Sequence, residues 1–329
     1  NTAFAAVTGT SIASAAAFTR IAWPEMKKAG YNHSFALGAI SGSACLGMLI
    51  PPSVLLIVWG IITEDSIGKL FVAGVIPGIL LALLYVSYNL IRAIMKPELA
   101  PEPDKVGLVT KLTKTEIYSG FSIIALIFLV LGGIWGGVFT ATEAAGMGAI
   151  ASFIIALCKG MKFKGVVESV IDAGKTSAPI MILLITAGMY SRFLSLSDIN
   201  SIILEAITSV GLNQFAILIM MVVIWLVLGM LLDSISIILL TVPLFIHLVP
   251  EMNPYAFAIF GILAIEAGLL TPPFGLIVYT VKGVLTGSND NVPLGTIFMG
   301  SIPYWIMMLF VMIMVYLIPE LASWPTKFV

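Results

Sequence analysis

Long apolar runs constrain the fold of this chain more than any other feature of its sequence. Five such runs, with few charged residues, occupy residues 70–94, 117–131, 142–158, 178–194 and 302–319. A helix needs roughly 20 mostly apolar residues to cross the hydrocarbon core of a bilayer. Because 60% of the residues are hydrophobic and only 10% are charged, we predict an all-α membrane protein with several spans. The same figures exclude a disordered chain and argue against a soluble enzyme.

Two further apolar runs are interrupted by a Pro-Pro pair, residues 35–62 at Pro51-Pro52 and residues 256–285 at Pro272-Pro273. The half before each pair has about 16 residues, or ~24 Å as a helix, which is shorter than the ~30 Å core. Proline removes a backbone donor and ends or kinks a helix. We therefore predict two Pro-Pro-broken transmembrane helices whose halves meet inside the membrane.

Two other stretches, residues 1–28 and 215–249, are predicted to form re-entrant helical hairpins. The tip of the first reads Thr8-Gly9-Thr10-Ser11, and the tip of the second covers residues 229–234. Irregular backbone is tolerated at membrane depth only where protein or a water-filled cavity surrounds it. Both tips are therefore expected to lie inside the protein.

The polar segments set the orientation. We expect a polar loop at residues 96–114, a basic amphipathic surface helix at 159–175 and an interfacial segment at 196–212. With the first hairpin entering from the cytoplasm, most of the 16 Lys and Arg residues fall on the cytoplasmic side, as the positive-inside rule requires. A net charge of −1 gives no electrostatic support for nucleic-acid binding.

The two halves of the chain repeat one order of elements: hairpin, half-helix, Pro-Pro break, half-helix and a Gly-x-x-Pro helix. A shift of 221 residues places Gly47 on Gly268 and the first Pro-Pro pair on the second, and a shift of 226 places Gly74 on Gly300. An odd number of predicted crossings separates the halves, so they form inverted repeats, as in secondary transporters. The predicted units are residues 1–114 (first repeat), 115–174 (connecting helices and a cytoplasmic segment) and 175–329 (second repeat).

Several residues at these tips and breaks could carry chemistry. Unwound backbone frees carbonyl oxygens, and hard cations such as sodium prefer oxygen ligands, so the first tip facing residues 47–52 is either a cation site or close packing of small residues. Asp233 is either a functional carboxylate or a cap of its hairpin helix. Glu266 is likewise either a functional carboxylate or a partner in a packing hydrogen bond. Thr142 with Glu143 either starts a helix or supplies a ligand.

Ordered motifs along essentially the whole chain resemble those of one family, the large membrane subunit of tripartite ATP-independent periplasmic transporters. The motifs are LGMLIPPS at residues 46–53, FVAGVIPG at 71–78, GVFTATEAA at 137–145, GMLLD at 229–233, GLLTPP at 268–273 and PEMKKAGY at 24–31. Ala141 stands where the family has proline. The family also has further helices upstream of the first hairpin, so we expect this chain to be an N-terminally truncated piece of such a subunit.

The resemblance implies sodium-coupled uptake of an organic acid anion, such as a C4-dicarboxylate or sialic acid, across the bacterial inner membrane. A periplasmic binding protein would deliver the substrate, a small four-helix membrane subunit would brace the large one, and the transport domain would move as an elevator. No enzymatic activity and no cofactor besides the coupling ion Na⁺ are expected. The substrate itself, the sodium stoichiometry and the oligomeric state are not predictable from the sequence.

The resemblance also assigns site residues. The first sodium site would comprise Thr8, Gly9, Thr10, Gly47, Ile50 and Pro52. The second would comprise Leu231, Asp233, Gly268, Thr271, Pro273, Thr140 and Thr142. The substrate would contact Ser11, Ser14, Asp233, Ser234, Pro51 and Pro272.

Three alternatives stand beside this interpretation. A stand-alone sodium/divalent-anion symporter of similar fold would need no binding protein. An intramembrane hydrolase is disfavoured, because His33 and His247 are predicted near the membrane surfaces and Asp233 has no convincing intramembrane Asp partner. A non-transporting helical scaffold would leave the two broken repeats without a purpose.

Overall fold

The computed structural model describes residues 9–101, 113–209, 211, 213–288 and 290–329, and in these residues all regular structure is helical. The helices are α1 (Ser11–Lys28), α2 (His33–Ala44), α3 (Val54–Thr63), α4 (Ile67–Met95), α5 (Lys114–Trp135), α6 (Ala141–Cys158), α7 (Phe163–Leu196), α8 (Ile199–Ser209), α9 (Gln214–Leu231), α10 (Ser234–Phe245), α11 (Pro254–Gly268), α12 (Leu276–Gly287), α13 (Leu294–Leu317) and α14 (Glu320–Ser323). Short 3₁₀ turns cover Cys45–Met48, Pro97–Leu99 and Pro325–Phe328.

Six described helices are long and apolar enough to cross a membrane: α4, α5, α6, α7, α9 and α13. The prediction of an all-α, multi-span membrane protein is therefore confirmed. One predicted boundary is wrong. The surface helix at 159–175 and the span at 178–194 form a single helix, α7, of 34 residues, with Pro179 inside it. The turns on both sides of Pro179 lack helix-ending residues, so the helix continues although one backbone hydrogen bond is missing.

Both Pro-Pro pairs interrupt their helices as predicted. The 12-residue α2 passes into the 3₁₀ turn Cys45–Met48, and α3 begins after the first pair. The 15-residue α11 ends at Gly268, and α12 begins after the second pair. The peptide bond within each Pro-Pro pair is cis. Neither α2 nor α11 has the roughly 20 residues that a complete span requires.

The predicted hairpins are described unequally. In the second hairpin, α9 has 18 residues and α10 has 12, so α9 is long enough to cross a membrane and only α10 is a short arm. In the first hairpin, α1 forms the second arm. Its first arm, including Thr8, lies outside the described residues, as does most of the predicted polar loop at 96–114.

The helices of the two halves are interleaved. Helix α1 packs on α12, which follows the second break, and helix α10 packs on α3, which follows the first break. The half-helix α2 packs on α13, and α11 packs on both α13 and α4. The helix after each break therefore contacts a helix from the opposite half of the chain.

Helix α11 lies at the centre of this packing. Almost all of its residues are buried, including its one carboxylate, Glu266. Two fully buried tryptophans, Trp59 and Trp225, contact its Phe257 ring. The Trp225 indole donates to Thr241 Oγ1 at 2.8 Å, which satisfies its buried N–H. The other buried polar side chains among the described residues are hydroxyls, so Glu266 is the one buried carboxylic acid there.

Candidate functional site

The carboxyl group of Glu266 is the most deeply placed acidic group that the structure describes. Glu266 is 2% exposed, and its Oε1 accepts a 2.6 Å hydrogen bond from the Ser234 hydroxyl. The Ser11 hydroxyl and the Cys45 thiol face the same carboxyl group. Because a carboxylate is costly to bury without partners, this cluster of Glu266, Ser234, Ser11 and Cys45 is the first candidate for function. We call it the Glu266 cluster.

Two helices start at this cluster. Ser11 is the first residue of α1, and Ser234 is the first residue of α10. The free N–H groups and the dipole at a helix N-terminus favour negative charge. Glu266 Oε2 and Ser11 Oγ are both buried and have no hydrogen-bond partner in the described part of the chain. The cluster therefore joins both halves of the chain and keeps unused hydrogen-bonding capacity.

The first tip lies against the first break. Gly9 has φ +63°, and a Cβ at this position would lie 3.3 Å from Val54 Cγ2 and 3.5 Å from the Pro52 carbonyl oxygen. The Val54 N–H donates to the Gly9 carbonyl at 3.4 Å. Of the predicted first sodium site, the structure thus brings Gly9 and Pro52 together, while Thr8 falls outside the described residues. Thr10 is the residue just before α1.

The prolines of the first break leave carbonyl oxygens without their usual helical donors. Proline has no N–H, so Pro51 and Pro52 cannot donate to the carbonyls of Gly47 and Met48, four residues earlier. The Ser53 hydroxyl replaces one of these donors with a 2.5 Å bond to Met48 O. Gly47 is buried and Ile50 is partly buried. One carbonyl oxygen of the first break, beside the first tip, is therefore left without a helical hydrogen bond.

The second tip has a different geometry. Asp233 is the N-cap of α10, and its side chain accepts from Ser236 N at 3.1 Å and from the Ser236 hydroxyl. This is the capping alternative of the two that the sequence left open, and such a bond leaves further acceptor capacity on the carboxylate. Leu231 is exposed. The tip approaches α11 through Gly229, since a Cβ on Gly268 would lie 2.9 Å from Gly229 Cα.

At the second break, the carbonyls find backbone partners. Gly268 O accepts from Thr271 N at 3.0 Å, and Leu269 O accepts from Ile277 N at 3.2 Å. The Thr271 hydroxyl donates to Ala267 O at 2.8 Å. Pro272 and Pro273 are exposed, in contrast to the buried Pro51.

Thr140 and Thr142 lie at the start of α6. Thr140, not Thr142, is the N-cap, and it forms a capping box with Glu143. The cap therefore lies two residues before Thr142, where the sequence alternative placed the start of the helix. The Thr140 hydroxyl accepts from Glu143 N, and the Glu143 carboxylate accepts from Thr140 N. Both threonines are exposed, and α6 packs on α5. Their assignment to the second sodium site stays a prediction.

The predicted substrate residues fall into two groups. Ser11, Ser14, Ser234 and Pro51 are buried, whereas Pro272 is exposed and Asp233 is partly buried. Ser11 and Ser234 meet at the Glu266 cluster. The sequence assignment omitted Glu266 itself. The shift of 221 residues that relates the halves also relates Cys45 to Glu266, so the repeat contained a signal for their contact.

Among the described residues, no group of three or more His, Cys, Asp or Glu side chains is placed to hold a metal ion. The oxygen atoms near the breaks are instead hydroxyls and backbone carbonyls, together with the single carboxylates Asp233 and Glu266. Such oxygens fit a hard monovalent cation better than a transition metal.

Six apolar spans, two broken helices and two helix starts that meet at a buried carboxylate define a polytopic membrane protein of the transporter class. The model of the tripartite ATP-independent periplasmic transporter family, DctM component, matches residues 1–321. The chain belongs to this family.

Curated relatives agree with this assignment. The large permease protein DctM of a C4-dicarboxylate transporter from Pseudomonas aeruginosa is 31% identical over 323 residues, which cover 97% of this chain and 74% of that protein. The large permease protein TeaC of an ectoine transporter from Halomonas elongata is 30% identical and covers 98% and 74%. The sialic acid permease protein SiaT from Haemophilus influenzae is 26% identical and covers 97% of this chain but 51% of its own length.

Proposed function

We propose that this chain is part of the large subunit of a sodium-coupled secondary transporter that takes up an organic acid anion. One observation carries the proposal: Ser11 and Ser234, which start hairpin helices in opposite halves, meet at the buried Glu266 beside both Pro-Pro breaks. Discontinuous helices at the midplane are where secondary transporters bind substrates and coupling ions. The relatives' names support organic acids or similar small solutes as the substrate class.

Sodium is the proposed coupling ion. The freed carbonyl near Pro51, the Gly9 carbonyl with its long 3.4 Å bond and the tip hydroxyls form a set of oxygens that suits a hard cation. Gly9, Thr10, Gly47, Ile50 and Pro52 would hold one ion. The second tip and break would hold the other, through residues including Asp233, Gly268 and Thr271. Sodium would supply charge compensation for the anion, while the hydroxyls and N–H groups of the tips orient it.

The two halves would act as inverted repeats. The reciprocal packing of α1 on α12 and of α10 on α3 supports a pseudo-two-fold arrangement in which both tips face each other. A transport domain of this kind would move as an elevator. The family implies the bacterial inner membrane, a small four-helix membrane subunit and a periplasmic binding protein that delivers the substrate.

The decisive experiment is uptake into proteoliposomes that contain the full-length large subunit and its small subunit. A sodium gradient is imposed, a panel of radiolabelled carboxylates is offered, and the binding protein is present or absent. An equal potassium gradient is the control. The proposal predicts uptake that needs both sodium and the binding protein. Sodium-driven uptake without the binding protein would favour the stand-alone symporter, and uptake indifferent to sodium would contradict the coupling.

A further inference from the structure

A small cavity lies where the end of α4 meets the starts of α2 and α13. It has a volume of about 70 Å³, and the residues that line it include Asn32, Ser34, Tyr88, Arg92 and Tyr304. A cavity needs only roughly 10–15 Å³ by this measure to hold one water. The Arg92 cavity, as we call it, therefore has room for a larger polar group.

Arg92 brings a positive charge to this cavity. In the described part of the chain it belongs to no ion pair, and its Nε is buried without a hydrogen-bond partner. The guanidinium carbon lies 6.0 Å from the centroid of the Tyr88 ring, a cation–π contact that uses none of its N–H donors. Glu98, in the turn after α4, is exposed and does not pair with it. No acidic side chain of residues 9–101 or 113–329 that the structure describes therefore pairs with the guanidinium.

The first turn of α2 adds to the positive potential. Asn32 is the N-cap of this 12-residue helix, and its side chain accepts from Phe35 N at 3.2 Å. The N–H groups of His33 and Ser34 precede that bond, so no helical carbonyl is available to them. Ser34 lines the cavity beside Arg92. A guanidinium and a helix N-terminus together favour a planar or tetrahedral oxyanion.

The depth of Arg92 indicates where such an anion comes from. Helix α4 has 29 residues and is therefore ~44 Å long, longer than the ~30 Å hydrocarbon core. Arg92 lies in its last turn, which places the guanidinium at the level of the lipid headgroups. The exposed side chains of Leu90, Ile91 and Ile94 on the same helix end offer an apolar surface for acyl chains.

We propose that the Arg92 cavity binds the phosphate group of an anionic phospholipid. The phosphate oxygens accept from the Arg92 guanidinium and from the first turn of α2, and the acyl chains lie along the end of α4. Because α2 packs on α13 and α4 packs on α11, the bound lipid ties the broken helices of both halves to the membrane surface.

Native mass spectrometry of the full chain in a mild detergent tests this proposal. Phosphatidylglycerol, phosphatidylcholine and inorganic phosphate are the probes. The expected result is a one-to-one phosphatidylglycerol adduct that phosphatidylcholine does not match. The Arg92→Gln variant should weaken this adduct about fivefold, since one arginine near an anionic surface contributes about 1 kcal/mol. The matched control is Arg20→Gln, which removes an exposed arginine that does not line the cavity and should leave the adduct intact.

The arms of the experiment separate the sources of phosphate. An adduct with inorganic phosphate as abundant as the phosphatidylglycerol adduct would overturn the assignment to a lipid. Equal losses of the phosphatidylglycerol adduct in Arg92→Gln and Arg20→Gln would overturn the assignment to the Arg92 cavity. Should Arg92→Gln fail to fold, hydrogen exchange on the wild-type chain serves instead. Phosphatidylglycerol should slow exchange of the His33 and Ser34 amides, and unchanged exchange there would contradict the proposal.

Discussion

The two Pro-Pro breaks occupy equivalent places in the sequence repeat, yet they differ in how their backbone is satisfied and covered. At the first break, Pro51 is buried, and Ser53 both donates to Met48 O and caps α3 by accepting from Leu56 N. At the second break, Pro272, Pro273 and Phe274 are exposed, and Gly275, the N-cap of α12, provides no side-chain cap.

This difference shows that equal topology does not require equal chemistry. The first break is closed by a serine side chain, and the second is closed by backbone bonds such as Ile277 N to Leu269 O. The polar side chains at equivalent positions differ as well. Cys45 in the first half corresponds to Glu266 in the second half, and these two side chains face each other. The first break is thus buried, whereas the second is exposed and follows the helix that holds the carboxyl group of the Glu266 cluster.

The largest expected effect comes from the glycines that let helices approach the first broken helix. A Cβ on Gly300 would overlap the Ser34 carbonyl, and a Cβ on Gly74 would overlap the Leu49 carbonyl. Gly300→Ala and Gly74→Ala should each lower the free energy of unfolding by about 2–4 kcal/mol, because backbone cannot move aside easily. Gly295→Ala on the same helix as Gly300 meets nothing within 4 Å and is the control. Thermal unfolding in detergent measures all three variants. An unchanged melting temperature for Gly74→Ala would contradict the close packing at the first break.

The next effect concerns the polar pair Glu266 and Cys45. Glu266→Ala leaves the buried Ser234 hydroxyl unpaired, at a cost of about 1–3 kcal/mol, so sodium-driven uptake should fall about tenfold or more. Glu266→Gln keeps an oxygen acceptor for Ser234 and should retain much of the activity. Cys45→Ala, at the equivalent position, should change uptake little. The measurement is initial uptake rate in proteoliposomes at matched protein content. Equal losses in Glu266→Ala and Cys45→Ala would remove the proposed asymmetry.

Substitutions at the equivalent positions 53 and 274, after the two breaks, should differ by a smaller amount in their cost to stability. Ser53→Ala removes the N-cap of α3 and should cost about 1 kcal/mol. Phe274→Ala, at the position equivalent to Ser53, changes a side chain that is 52% exposed and should stay within about 0.5 kcal/mol. Denaturation midpoints of the two variants test this difference. A larger loss in Phe274→Ala would show that the second break is covered by a partner.

The smallest effect is a pH dependence at the link between the halves. Asp290, in the loop after α12, pairs with Lys27 and accepts from Trp23 Nε1 at 2.7 Å. The Lys27 hydrogen bond, followed by that of Trp23, lowers the pKa of the Asp290 carboxyl. Its stabilisation is therefore present above the unfolded-state pKa and lost as the pH falls through the folded-state pKa.

Asp290→Asn should accordingly cost less than about 1 kcal/mol at neutral pH, since the pair is partly exposed. The difference from the wild type should disappear in acid. Melting temperatures at several pH values measure it, and Glu25→Gln, which removes another exposed charge partner, is the control. A difference that persists at low pH would mean that Asp290 acts through shape and not through charge.

Local patterns predicted much of the architecture. Apolar runs predicted the spans, because a helix in hydrocarbon must satisfy its own backbone, and the Pro-Pro pairs predicted the breaks, because proline has no N–H. The single helix α7 was not predicted, since a basic stretch followed by Pro179 resembles a boundary. The sodium and substrate assignments, Thr8 and Asp233 among them, stay predictions.

The sequence by itself determined that the chain is an all-helical membrane protein with two helices broken at Pro-Pro pairs, because hydropathy and proline act within a few residues of where they occur. Only the tertiary structure decided that α1 packs on α12 and α10 on α3. It also decided that Glu266 meets Ser234 from one tip and Ser11 from the other. These contacts join residues more than 200 positions apart in the case of Ser11, and such pairings depend on how helix faces fit together, a property that no local pattern encodes.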